Sequence, residues 1–106
     1  MFPQVQVGQA GEKIVGAWLA GRGYTTNIDT KLPGSTDIEA VGSTASLLVQ
    51  VKTAVSPSGP PAVTSEEAGS ISARAKRLGW QAWEARVAVD RDLRPVGEIQ
   101  WRRLDA

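Results

Sequence analysis

The chain has 106 residues, of which 42% are hydrophobic and 22% are charged, and this composition predicts one globular domain over residues 1–106. It contains no Cys and no His, which excludes disulfides, thiolate or histidine metal sites and catalysis by a histidine base. The formal net charge of +1 is too balanced to indicate nucleic acid or a membrane as a partner.

The first predicted element is a helix over residues 8–23. Apolar side chains recur there at helical spacing, as in Val15, Trp18 and Leu19. Glu12 falls near the predicted start, where the helix dipole favours an anion. Gly23 is a suitable residue to end the helix.

Three strands are predicted next, over residues 24–30, 36–41 and 46–53. Pro33 and Gly34 indicate a turn over residues 31–35, and residues 42–45 indicate a hairpin connection. The third strand carries a nearly continuous apolar run, which predicts a central strand covered on both faces.

The second half predicts an irregular loop, a helix over residues 65–78 and two strands over residues 80–89 and 96–104. Thr64 and Glu67 fit a capping box at the start of this helix, and Gly79 ends it. The next strand alternates, with Trp83 on one face and Glu84 and Arg86 on the other. The order of elements predicts an α/β fold, with a mixed sheet that carries helices on its faces.

Three polar residues are predicted to meet on one face of the sheet. A two-residue turn at residues 43 and 44 pairs Asp37 with Gln50, and Lys52 shares the face of Gln50 because it lies two residues further on. Opposed side chains would then lie about 5 Å apart at their Cβ atoms. A carboxylate, an amide oxygen, a backbone carbonyl and waters suit Mg²⁺ or Mn²⁺. A lysine beside such an ion predicts hydrolysis of a phosphodiester.

The sequence resembles a known nuclease signature at these positions. Gly34-Ser35-Thr36-Asp37 followed by Val49-Gln50-Val51-Lys52 is similar to the PD-(D/E)XK motif. Gly8-Gln9-Ala10-Gly11-Glu12 and Gly23-Tyr24 resemble the small Holliday-junction-resolvase-type branch of that superfamily. The resemblance covers residues 8–53 and implies a restriction-endonuclease-like αβββαβ core.

The resemblance also implies roles for single residues. Asp37 matches the metal-binding aspartate, Lys52 the catalytic lysine and Glu12 the helix glutamate that completes the metal shell. Gln50 stands where most members carry Glu, and a Gln at this place resembles the variant of Mrr-type restriction enzymes. The expected catalytic set is therefore Glu12, Asp37, Gln50 and Lys52, and the expected metal ligands are Glu12, Asp37, Gln50 and the backbone carbonyl of Val51.

The implied activity is a Mg²⁺-dependent DNA endonuclease, with Mn²⁺ as a substitute ion, that cuts branched or duplex DNA as a homodimer. The residues expected to contact nucleic acid are Lys31, Ser35, Arg74, Lys76 and Arg77. No organic cofactor and no membrane are expected. The chain has neither a signal peptide pattern nor a long apolar run, which predicts an intracellular protein. The resemblance implies that its source is a phage or a prokaryote.

Each assignment has a plainer alternative. Asp37 could bond only to backbone, Gln50 and Lys52 could lie on a solvated face, and Glu12 could serve the helix dipole. The cations Arg74, Lys76 and Arg77 suit a solvated helix end equally well, Glu39 is expected to be solvated, and the four Trp residues are expected to be mostly core. Two other functions stay open: a weak or inactive nuclease fold that binds nucleic acid or a protein, and a structural protein whose Trp faces bind a partner.

Overall fold

The computed structural model describes residues 2–32 and 35–105, and the side chains of residues 29–32 and 35–37 lie outside this description. The elements confirm the predicted α/β fold, and their order is compatible with an αβββαβ core. In chain order they are α1 (Gln4–Gly21), β1 (Thr25–Leu32), β2 (Ser35–Val41), β3 (Ser46–Val55), α2 (Ser65–Leu78), β4 (Gln81–Val89) and β5 (Pro95–Arg103).

The described strands form one mixed sheet in the order β1-β2-β3-β4-β5. The first three strands are antiparallel neighbours, β3 and β4 run parallel through the α2 crossover, and β5 is antiparallel to β4. Strand β3 lies in the middle of this sheet, and Leu48 and Val49, which face opposite sides, are both fully buried. This confirms the prediction of a central strand that is covered on both faces.

The two helices cover opposite faces of the sheet. On one face Val49 of β3 and Val87 of β4 belong to a core cluster with Val15 and Leu19 of α1. On the other face Leu48 of β3 packs in a second cluster with helix α2, whose members are Leu48, Ile71, Ala75 and Ala82. Alternate residues of β3 therefore face different helices, with Val49 on the side of α1 and Leu48 on the side of α2.

Helix α1 begins four residues earlier than predicted. Pro3 precedes it with φ −59°, and the first turn includes Val7, which is only 3% exposed. The sequence prediction missed this turn because it began the helix at a glycine and left out the buried Val7. Glu12 consequently lies more than two turns inside the helix, so the idea that it serves the dipole at the helix start is wrong.

Helix α2 has the predicted bounds and the predicted ends. The Thr64 hydroxyl accepts a hydrogen bond from the Glu67 backbone N–H at 3.1 Å, and the Glu67 carboxylate accepts one from the Thr64 N–H at 3.1 Å. Gly79 ends the helix in the left-handed region, at φ 74°. The capping box therefore fixes both the start of α2 and the direction of the Glu67 side chain.

The strand boundaries differ from the prediction by one or two residues at several ends. Residues 31, 32 and 35 belong to strands, with Leu32 paired to Ser35, and the rest of the expected turn, residues 33 and 34, lies outside the described residues. Strand β3 continues to Val55, because its parallel pairing with β4 extends as far as Val89.

The tryptophans are less buried than expected. Trp18 is 39% exposed and is therefore not a core residue, although the four Trp residues were expected to be mostly core. Its ring lies 5.0 Å from that of Trp101, which in turn makes an edge contact with Trp83 at 6.4 Å. Trp83 and Trp101 pack partly buried against the core under α1, and Trp80 packs against the one under α2. Neither described helix is long and apolar enough to cross a membrane.

Candidate active site

The register of β2 and β3 brings together the strand positions that the sequence predicts for the site. Asp37 pairs with Gln50 across the antiparallel ladder, as expected from a two-residue hairpin turn. The same row continues from Gln50 to Glu84 on β4 and from Glu84 to Arg102 on β5. The Asp37 side chain lies outside the described residues. The structure therefore gives the position of Asp37 on β2 but not the position of its carboxylate.

Lys52 and Gln50 belong to the face of the sheet that α2 covers. The Lys52 Nζ donates a hydrogen bond of 2.8 Å to Glu67 Oε2 on the first turn of α2. Glu39 of β2 reaches Arg74 of α2 at 3.5 Å, which corrects the expectation that Glu39 is only solvated. The side chains of Lys52 and Glu67 are 17% and 30% exposed, so solvent still reaches this ion pair.

Gln50 is a buried amide with a free hydrogen-bonding group. The residue is 4% exposed, and within the described part of the chain its Nε2 atom is buried without a partner. A buried polar group left unpaired costs about 1–3 kcal/mol, so such groups usually have a ligand or water. Because the oxygen and nitrogen of an amide are assigned from their partners, a bound cation would favour the orientation that presents the oxygen.

Glu67 is a residue of this site that the sequence indicated only as a helix cap. Its hydrogen bond from Lys52, with a further one from the Thr64 backbone N–H, lowers the pKa of the Glu67 carboxyl below the ordinary value of 4.5. One oxygen of Glu67 therefore closes the capping box while the other holds the lysine. The spacing of residues along the chain carries no signal for this contact, because it depends on where α2 crosses β3.

The lowered pKa of Glu67 predicts a change in stability with pH. A carboxyl whose pKa is lowered by folding stabilises the protein above pH 4.5, and this contribution is lost as the pH falls through the pKa of the folded state. We expect Glu67→Gln to lower the free energy of unfolding at pH 7 by about 0.5 kcal/mol, since the pair is partly solvated. The difference should become smaller as the pH falls below 4.5.

Urea denaturation of both proteins at pH 7 and pH 3 measures this effect. Glu66→Gln is the matched control, because Glu66 lies in the same first turn and is exposed. The difference in the free energy of unfolding between wild type and Glu67→Gln is compared at the two pH values, after the effect of Glu66→Gln has been subtracted. If this difference is as large at pH 3 as at pH 7, the prediction is wrong.

No contact among the described residues brings Glu12 to the strand residues Asp37, Gln50 and Lys52. It belongs to α1, on the opposite face from Lys52, and its neighbour Gly11 packs directly on Thr53 of β3. Glu12 is 7% exposed, and its Oε1 lies 4.0 Å from where a Cβ on Gly8 would be. The side chain therefore runs back along its own helix. The predicted set divides into the strand positions on the α2 side and Glu12 on the α1 side.

Glu84 is a buried carboxylate that sequence reasoning placed on the correct face but did not connect with the site. It is 2% exposed. Its Oε2 accepts hydrogen bonds from the Val63 backbone N–H at 2.7 Å and from Arg102 Nη2 at 3.0 Å. An alternating strand gives no signal for such burial, because the covering segment comes from the loop before α2.

The residues expected to contact nucleic acid lie in different settings. Arg74 forms its ion pair with Glu39, whereas Lys76 and Arg77 are exposed in the last turn of α2. The side chains of Lys31 and Ser35 lie outside the described residues. Contact of these five residues with DNA stays a prediction.

Among the described side chains, no group of three or more carboxylates, imidazoles or thiols could hold a metal ion, and Asp37 is not one of those side chains. No model of a known protein family matches the chain, and no curated protein matches it.

Proposed function

We propose that this protein is a metal-dependent endonuclease that hydrolyses phosphodiester bonds of DNA. The observation that carries the proposal is the register of Asp37 opposite Gln50, with Lys52 on the face of Gln50 and its amine held by a carboxylate. An acid and an amide oxygen on adjacent strands can hold a hard cation, and an amine beside them can stabilise charge on a phosphate during hydrolysis.

The donor set suits Mg²⁺, with Mn²⁺ as a substitute. Asp37, the amide oxygen of Gln50 and the backbone carbonyl of Val51 would hold the ion together with waters. Such an ion supplies an acidified water and stabilises negative charge on the phosphate. Lys52 would neutralise charge that develops on a phosphate oxygen or orient the attacking water.

Glu67 supports this proposal because it holds the amine of the site in place. Its carboxylate lies 2.8 Å from the Lys52 amine, on the face of the sheet that also carries Gln50. Gln50 provides a neutral oxygen where a carboxylate would attract the cation more strongly. Glu12 is the member of the expected set that the described contacts support least.

The proposed substrate is branched DNA, as the resemblance to the resolvase-type branch implies, and the proposed assembly is a homodimer. Two sites related by a two-fold axis would cut two strands symmetrically. Lys76 and Arg77 are exposed in the last turn of α2 and would contact phosphates by charge.

A cleavage panel tests the proposal. Wild type is expected to cut at least one of four substrates, a four-way junction, a flap, a duplex or a single strand, in Mg²⁺ or Mn²⁺. Asp37→Asn should lose this activity, whereas Asp92→Asn, a control in the exposed turn before β5, should keep it. If wild type leaves all four substrates intact with either ion, the proposal is rejected.

A second candidate is a nuclease-like protein that binds nucleic acid or a protein without cutting. The neutral Gln50 favours it, since it weakens metal binding. Calorimetric titration with Mn²⁺ separates the two functions: the endonuclease should bind the ion and lose it in Asp37→Asn. A Gln50→Glu variant that cuts DNA when wild type does not would favour the second candidate.

A further inference from the structure

The connection between β3 and α2 is tied to the sheet at its start, its middle and its end. The Ser56 backbone N–H donates to the Val89 carbonyl at 2.7 Å, and Arg86 donates to the Pro60 carbonyl through both Nε, at 3.1 Å, and Nη2. At its end, the Val63 N–H donates to Glu84 at 2.7 Å. Charged side chains of β4 therefore hold a loop that lies directly before helix α2.

The last of these ties is made by a buried carboxylate that forms an ion pair with a partly exposed arginine. Glu84 is 2% exposed, and its partner Arg102 also donates to the Val63 carbonyl at 3.4 Å. Glu84 and Arg102 therefore contact both polar backbone groups of Val63. A buried carboxylate is costly unless it is fully paired, and here one arginine and one backbone N–H pair it.

Val63 leads directly into the part of α2 that reaches the lysine. Thr64 is the helix cap, and Glu67 closes the capping box with Oε1 while Oε2 binds Lys52. Contacts thus run without a break from Arg102 on β5 through Glu84, Val63 and Thr64 to the Glu67–Lys52 pair. A shift of Val63 would move the cap and, with it, the carboxylate on Lys52.

We propose that Glu84 and Arg102 are positioning residues, which hold Val63 so that Glu67 stays on Lys52. The effect of this positioning on catalysis rests on the proposed function, whereas the positioning itself does not. The alternative is that the pair only stabilises the fold, in which case the Glu67–Lys52 contact should survive its removal in a folded variant.

NMR spectroscopy of the protein without DNA or metal tests the positioning. The measurements are the amide exchange rate of Val63 and the pKa of the Glu67 carboxyl, which its contact with Lys52 lowers. In Arg102→Ala we expect Val63 to exchange about tenfold faster, as when one charge-assisted hydrogen bond is lost, and the Glu67 pKa to rise towards 4.5. Glu84→Gln should show the same two changes.

Arg103→Ala is the matched control. Arg103 is the next residue on β5 and pairs with Asp105 at 2.6 Å, away from the loop, so both measured values should stay as in wild type. Arg102 is 54% exposed, and its replacement should leave the protein folded even if Glu84→Gln does not fold. An unchanged Glu67 pKa in folded Arg102→Ala overturns the proposal, as does a rise in exchange that is equal at all amides.

Cleavage kinetics add the catalytic consequence. If the protein cuts DNA, Arg102→Ala should lower kcat more than it raises KM, because the pair acts on the arrangement around Lys52 and not on the bound strand. If the wild-type protein does not cut DNA, only the proposed function is rejected. The positioning by Glu84 and Arg102 is still tested by the two NMR measurements.

Discussion

Replacement of Lys52 by alanine should lower metal-dependent cleavage by about 10²- to 10⁴-fold, the range for the loss of one group that transfers a proton or stabilises charge. Lys52 has a short amine contact to Glu67 and lies next to the position where Asp37 faces Gln50. The loss of stability should be modest, about 1 kcal/mol or less, since both members of the ion pair are partly solvated.

Two variants make this result specific. Lys13→Ala removes an exposed lysine from α1, on the opposite side of the sheet, and should cut at the wild-type rate. Lys52→Arg keeps the positive charge but replaces a compact amine by a planar group, so retained activity would mean that charge alone suffices. If Lys52→Ala cuts as fast as wild type and changes only the melting temperature, Lys52 has a structural role and the proposed mechanism fails.

Local patterns predicted the order of the elements and the central part of the site. The two-residue hairpin turn was enough to place Asp37 opposite Gln50, because counting outward from a turn fixes every pair of an antiparallel ladder. The capping box at Thr64 and Glu67 was equally local and fixed the start of α2.

Contacts between distant segments could not be predicted in the same way. Glu67 meets Lys52, and Glu84 meets Val63, only because of the path that the loop from residue 56 to residue 64 takes over β4. No periodicity encodes that path. The same limit explains Glu12: the sequence placed it on the first helix but gave no information on which face of the sheet this helix covers.

The packing of α1 on β3 leads to the second large effect, which concerns stability. Gly11 faces Thr53, and a Cβ at Gly11 would lie 1.8 Å from the Thr53 hydroxyl oxygen and 2.9 Å from its Cβ. Gly11→Ala therefore forces the helix and the strand apart, which costs about 3 kcal/mol, the upper end of the usual range, because the contact is so close. This outweighs the gain of about 1 kcal/mol that alanine brings to a helix. We expect the melting temperature to fall by about 10 °C.

Gly16→Ala is the matched control, because it lies in the same helix and a Cβ there meets no atom within 4 Å. It should leave the melting temperature unchanged or raise it by a few degrees.

The double variant Gly11→Ala/Thr53→Ala removes the hydroxyl and methyl that clash and should recover part of the loss, so that the two effects are not additive. Thr53→Ala alone should cost little, because this buried hydroxyl has no partner among the described residues. Thermal denaturation of the four variants and the wild type measures these differences. A Gly11→Ala protein that melts at or above the wild-type temperature would show that α1 does not approach β3 this closely at Thr53.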